Sequence, residues 1–421
     1  MSDAAMPVGR PKRRAAFGFI FATALMNAIS FGIMIPILPN LIKEFTGGDY
    51  AAASLTNVLF ATVWGVMQFF CGPVLGMLSD RIGRRPVLLI SLFGLAVDFL
   101  FMALAPSLSW LFLGRVINGM TAASFSTAGA YVADVTPPER RAQTFGWMGS
   151  AFSFGFLVGP ALGGLLAQHS LRLPFFVAAA LTGVNWLYGL LVLPESLPPE
   201  RRIARFEWRR ANPVGSLNFL RRHAELLDLA FINFLFFLAQ NVLPSIFVLY
   251  AGYRYNWTPL VMGLTLMGTG ALGVLVQLLL VQPVVTRIGE RGTLLLGALG
   301  GAVGFALYGF AATGWFYIAS APVFALMNLM QPGLQGLMTR RVGPQEQGQL
   351  QGANQSLQGI ASIIGPLVFG TVFAWAVRHD ATLHLPGLPI FLAGGLLLIA
   401  FGFGLRIHRG PAPKPDVAHG G

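Results

Sequence analysis

The chain has 421 residues, of which 55% are hydrophobic and 10% charged, with a formal net charge of +12. A soluble domain carries about 25% charged residues, so a water-soluble globule is excluded and the apolar excess must face lipid. The basic residues form no nucleic-acid surface either: they sit in short segments between long apolar runs, where positive charge orients a membrane protein.

A helix needs about 20 apolar residues to cross the hydrocarbon core. Twelve runs meet this, at approximately 16–38, 53–76, 88–105, 109–133, 144–168, 174–194, 226–250, 259–283, 293–311, 315–338, 349–377 and 386–406. They are numbered here as helices 1 to 12. The first follows Lys12, Arg13 and Arg14, is too long for a signal-peptide core and lacks a small-residue cleavage site, so it reads as an uncleaved membrane helix. An even count puts both termini on one side. Odd-to-even connections carry Lys43, Arg172, Arg254 and Arg378; the termini and remaining connections carry twenty-three basic residues. That bias predicts cytoplasmic termini.

Helix 1 carries Asn27 and Ser30, helix 2 carries Gln68, and the connection to helix 3 reads GMLSDRIGRR over Gly76–Arg85. Asp80, Arg81 and Arg84 there, with Asp134 at the end of helix 4, share a membrane depth and are read as a charge cluster that latches the cytoplasmic side. The alternative is arginines that only enforce topology. Helices 3 and 4 turn near Pro106-Ser107, with Asp98 and Arg115 equally far from the turn on opposite arms. A charge at mid-membrane costs about 2.5–3.5 kcal/mol, so the two are expected to pair. Either Asp98 is a proton-responsive acid with Arg115 as its counter-charge, or the pair is permanent and structural.

Helix 5 has Gly155, Gly159 and Gly163 at four-residue spacing, beside Pro160 and Gly164. Small residues so spaced let another helix approach closely, and the proline can kink the helix. The stripe is expected at a sliding contact between halves, or else as plain tight packing. Residues 195–225 form a basic, proline-rich connector, solvated or lying along anionic headgroups. Helices 7 to 11 add Asn233, Phe237, Gln240, Asn241, Gln277, Asn328, Gln331, Gln335, Gln355 and Gln358. Together with Asn27, Gln68 and Asn118 they are candidates for a central site taking a bulky amphipathic solute, or for bonds between helices. The expected domains are 1–194, a linker at 195–225, a second bundle at 226–409 and a disordered tail at 410–421.

The halves repeat. Arg287–Gly289 restates the centre of the loop signature 206 positions on, and the same offset pairs Gly159-Pro160 with Gly365-Pro366 and Gly164 with Gly370. A duplicated apolar chain is the mark of a secondary transporter. In the second half Thr286 replaces the acid of the loop signature, so a mirrored latch is expected to be weaker.

These residues resemble the major facilitator superfamily. The loop signature lies between helices 2 and 3. Leu113–Gly119 (LGRVING) is similar to the family's helix 4 motif, and Gly155–Gly164 (GFLVGPALGG) to its antiporter motif. Within that superfamily the chain is similar to tetracycline/proton antiporters. The resemblance implies an all-α integral membrane protein of twelve helices in two pseudo-symmetric six-helix bundles. It further implies export of an amphipathic drug such as tetracycline in exchange for protons, by a monomer in the bacterial cytoplasmic (inner) membrane. Partners are then the substrate, protons and the lipid bilayer, with no nucleic acid.

This chain departs from those relatives. Asn27 stands where they carry an acid in helix 1, and their functional polar positions in helices 8 and 9 correspond to Gly273 and Gly301. Rival readings are therefore a proton-independent facilitator or lipid-like solute transporter, and a membrane sensor that binds without transporting. Neither metal-ligand spacing, a phosphate-binding loop nor an activated nucleophile is evident, and Cys71 is the single cysteine. No cofactor and no enzymatic activity are expected.

Overall fold

Helices stand at the twelve expected crossings in the computed structural model, which describes residues 10–122, 124–203, 219–220, 223–343 and 346–407, with short helical pieces such as Leu38–Phe45 and Asp380–Leu383 beside them. Among the described residues all regular structure is helical, and nine helical stretches are long and apolar enough to cross a membrane. One of them, Pro259–Phe310, has 52 residues. At about 1.5 Å per residue it is far too long for a single crossing, and it holds helices 8 and 9. Helices 4 and 10 escape the count because they are interrupted. Helix 4 runs as Leu108–Thr121 and Ser124–Val135; helix 10 runs as Gly314–Ala319, Ala321–Ala325, a 3-10 turn Leu326–Leu329 and Met330–Thr339.

Helix boundaries follow local chemistry. Asp49 starts helix 2 by accepting from the Ala51 and Ala52 amides at 2.8 and 3.2 Å, as a capping carboxylate should. Gly83, at φ +112°, ends that helix at Ile82 and lets helix 3 begin at Arg84. Gly289 does the same between helices 8 and 9 at φ +74°. A side chain is strained at both angles. One π turn, Val276–Leu280, interrupts helix 8.

Of the described residues, those within Met1–Pro213 and Ala251–Met267 form one compact unit, and those within Val214–Tyr250 and Gly268–Gly421 form the other. In the first, helix 1 packs along helices 5 and 6, helix 2 against helix 4, and helix 3 against helix 6. The second repeats this pairing, with helix 7 against helices 11 and 12, helix 8 against helix 10, and helix 9 against helix 12. Leu88, Leu92, Tyr131, Val132 and Met148 form part of a buried core in the first unit. Apolar side chains such as Leu191 and Leu278 remain exposed, the arrangement expected of surfaces solvated by lipid. The tail at 410–421, linker residues 204–218 and Arg221 and Arg222 lie outside the described residues.

Candidate functional site

The first unit holds a partly open cavity of about 230 Å³ among helices 1 to 5. Helix 1 contributes Thr23, Asn27 and Phe31, helix 2 Trp64 and Gln68, and helix 3 Ser91 and Leu95. Helix 4 adds Asn118 and Ala122, at its interruption, and helix 5 adds Met148 and Phe152. Three sequence candidates, Asn27, Gln68 and Asn118, thus meet around one space. Phe31 lies 6.2 Å from Trp64, and Phe156, outside the lining, stacks on Phe31 at 6.1 Å and on Phe152 at 5.7 Å, centroid to centroid. Trp64 Nε1 donates to Asn118 Oδ1 at 2.5 Å, which orients that amide. Asn27 Oδ1 and Ser91 Oγ are buried with no hydrogen-bond partner. Ser30 is elsewhere, accepting from the Thr182 hydroxyl at 3.3 Å.

Asp98 and Arg115 form an ion pair, with Arg115 Nε donating to Asp98 Oδ1 at 3.3 Å. Asp98 is fully buried and Arg115 is 5% exposed. Gly114 makes the fit possible, since a Cβ there would stand 2.7 Å from Asp98 Oδ1. The sulfur of Met34 lies 3.2 Å from Arg115 Nη1. Neither charged residue lines the cavity.

At the ends of helices 2 to 4, Arg84 pairs with Asp80, reaches Asp134 Oδ2 at 3.1 Å and donates to Ser79 Oγ at 2.7 Å. Arg81 is exposed and takes no part in these pairs. Sequence reasoning missed the residue that organises them. Glu195, assigned to the linker, accepts from the Arg84 and Arg85 amides at 2.8 and 3.2 Å and caps helix 3. Its carboxylate occupies the space a side chain at Gly83 would need. Neighbouring groups tie the same segment down: Ser196 Oγ donates to Asp134 at 3.2 Å, Tyr131 OH to Pro194 O at 2.9 Å, and Arg85 to Leu190 O at 2.7 Å. The available signal was an acid directly after helix 6, at the depth of the arginines.

The matching cluster of the second half uses other residues. Thr286 only donates to the Pro283 carbonyl of its own helix. Glu290 instead pairs with Arg340 at 2.8 Å, and Arg291 donates to the carbonyls of Gly404 and Leu405 at the end of helix 12. A carboxylate four residues further along replaces the missing one.

The glycine stripe lies in a tight contact with helix 1, and its far end meets helix 8. A Cβ at Gly155, Gly159 or Gly163 would collide with the backbone of helix 1 at Leu25, Gly32 or Ile33. The stripe therefore packs helices 1 and 5 within one unit. The adjacent Gly164 faces Pro259 and Leu260, and the Pro160 carbonyl faces Gly263, where the first turns of helix 8 belong to the same unit. In the second unit Gly365, beside Pro366, packs on Asn241, whose Cβ would lie 2.5 Å from an added one.

The candidates of the second unit fall into separate places. Asn233 donates to Asn354 Oδ1 at 2.9 Å, and Asn354 to Gln335 at 3.4 Å; Asn354 is a second residue that sequence reasoning missed. Asn241 donates to the Phe237 carbonyl at 2.8 Å, and Phe237 itself is buried. Asn328 donates to Ala325 O at 2.9 Å and lies beside Gly273. Gln331 Oε1 is buried without a partner, while Gln240, Gln277, Gln355 and Gln358 are exposed. Gly301 is enclosed, with Leu397 Cδ1 2.7 Å and Met327 Cγ 2.8 Å from where a Cβ would stand.

The model of the Major Facilitator Superfamily matches residues 20–366. The chain is 37% identical over 393 residues to the class C tetracycline resistance protein of Escherichia coli, covering 91% of this chain and 98% of that protein. It is 35% identical over 378 residues to the class G tetracycline resistance protein of Vibrio anguillarum, covering 87% and 94%. Among solved structures it superposes on the human organic anion transporter MFSD10 (TETRAN) with a TM-score of 0.68, 24% identity and coverage of 93% and 99%. The paired six-helix organisation and these matches agree, and the chain belongs to the major facilitator superfamily of multi-pass membrane transporters.

Proposed function

We propose that this protein exports an amphipathic drug, with tetracycline as the first probe, across the bacterial inner membrane in exchange for protons, acting as a monomer with both termini in the cytoplasm. The observation that carries the reading is the aromatic, amide-edged cavity among helices 1 to 5, together with relatives named for tetracycline resistance. A fused-ring solute lies against Phe31, Trp64 and Phe152, and its polar edge meets Asn27, Gln68 and Asn118. Such a mixture of rings and a few fixed polar groups suits an amphipathic ligand.

Protonation of Asp98 removes the negative half of the buried pair and leaves Arg115 without a counter-charge. In a low-dielectric setting that is a strong bias toward any conformation that hydrates Arg115. Proton uptake from one side and release to the other then drives alternating access. The cluster of Asp80, Arg84 and Asp134 acts as a latch at the cytoplasmic ends of helices 2 to 4, held in register by Glu195.

A second reading, a proton-independent facilitator, is favoured by a specific observation: Asp98 is fully enclosed and paired, while Asn27, Gly273 and Gly301 supply no other acid. Inverted vesicles containing the protein test the choice. Tetracycline accumulation that an imposed pH gradient drives and an ionophore abolishes supports exchange. Accumulation that ignores the gradient supports the facilitator.

A further inference from the structure

We infer that the solute crosses this protein without net charge, and that Asn27 and Ser91 read its polar edge. The inference rests on the export reading above and narrows its substrate class.

It begins with the charges available inside the membrane. Among the described residues, Asp98 and Arg115 are the ionisable pair at mid-depth, and each neutralises the other. Asp228, one turn into helix 7, is exposed. The remaining acidic residues of the helices, Glu44, Asp80, Asp134, Glu139, Glu200, Glu225, Glu290 and Asp380, lie at helix ends. Every residue lining the cavity is neutral. A cation entering it meets no carboxylate, and an anion meets no basic group.

The aromatic wall does not reverse this. A cation over the face of Trp64 or Phe31 gains a modest attraction, much smaller than the cost of removing an unpaired ion from water. Uncharged polar groups are well served. Thr23 donates to Asn185 at 3.0 Å, and the Asn118 carbonyl is held by Trp64. That leaves Gln68 on the cavity wall and two buried groups without a hydrogen-bond partner, the carbonyl of Asn27 and the hydroxyl of Ser91, itself 2% exposed. A hydroxyl or amide on an uncharged aromatic scaffold satisfies both. Asn27 is thereby a specificity-determining position: an acid there would supply the counter-charge a cation lacks.

The test reconstitutes the full chain in liposomes and measures counterflow of chloramphenicol, which is uncharged, and ethidium, which is permanently cationic, alongside tetracycline. The wild-type protein is expected to prefer chloramphenicol over ethidium by about tenfold or more in kcat/KM, in line with the cost of an unpaired buried charge. Asn27→Asp is expected to raise ethidium transport about tenfold, and Ser91→Ala to raise the KM for chloramphenicol without changing kcat. Ethidium moved as well as chloramphenicol by the wild-type protein overturns the inference and leaves the export reading standing. If none of the three compounds moves through well-folded protein, the export reading falls and takes this inference with it.

Discussion

Arg84 and Glu290 occupy the same position of the duplicated unit, 206 residues apart, with opposite charges. Their partners, Asp134 and Arg340, stand at the same offset and are also reversed. The bond between the start of one helix and the end of the next is kept in each half, while its polarity is inverted.

This relationship predicts that charge order is free but complementarity is not. Glu290→Arg places a fourth cation beside Arg287, Arg291 and Arg340 and should slow transport by about threefold or more, a partly exposed pair contributing about 0.2–1 kcal/mol. The double variant Glu290→Arg/Arg340→Glu should return to within about twofold of the parent. Initial transport rates at matched protein levels check this, and a double variant no better than the single one would refute it.

Glu195 should act on stability through helix 3. It accepts the first amides of that helix and places a carboxylate at its positive end. Glu195→Ala is expected to cost about 0.5–2 kcal/mol, with Glu195→Gln intermediate. Thermal unfolding of the purified protein reads the loss. An unchanged midpoint in both variants would mean the cap is dispensable.

Close contact between helices 1 and 5 makes a sharp contrast between two glycines. A Cβ at Gly159 would stand 2.8 Å from Gly32 Cα, where only backbone could yield, whereas Gly395 faces open space. Gly159→Ala should destabilise the protein by about 1–3 kcal/mol through overpacking, and Gly395→Ala should be close to neutral. The yield of monodisperse protein after mild heating separates the two.

Much of the architecture was legible from hydropathy. The predicted run at 88–105 corresponds to Arg84–Leu104, and that at 386–406 to Leu388–Arg406. Hydropathy did not reveal that helices 4 and 10 are broken, because the interruptions depend on backbone geometry inside runs that stay apolar. The charge pairs were readable in part: Asp98 with Arg115, and Asp80 with Arg84 and Asp134, follow from equal depth. Glu195 was not, since its target amides lie 111 and 110 residues away in sequence, and one of four glutamates in a basic connector carries no periodic signal. The glycine stripe announced a close helix contact but not its partner, because small residues invite any backbone equally.

The indole of Trp64 should tune affinity rather than turnover. Trp64→Phe keeps the ring but removes the donor that orients Asn118. A lost hydrogen bond is worth about 0.5–1.5 kcal/mol, so KM for the transported drug should rise about three- to tenfold with kcat little changed. A fall confined to kcat would place Trp64 in the conformational step instead.

If Asp98 couples drug export to proton movement, driven and downhill flux must separate when it is replaced. Tetracycline uptake under an imposed pH gradient and tetracycline counterflow without one should be measured in the same proteoliposomes, for the parent and Asp98→Asn. Asp98→Asn is expected to abolish gradient-driven uptake while counterflow persists. Gradient-driven uptake that survives in Asp98→Asn, or a parent protein whose flux ignores the gradient, would contradict it.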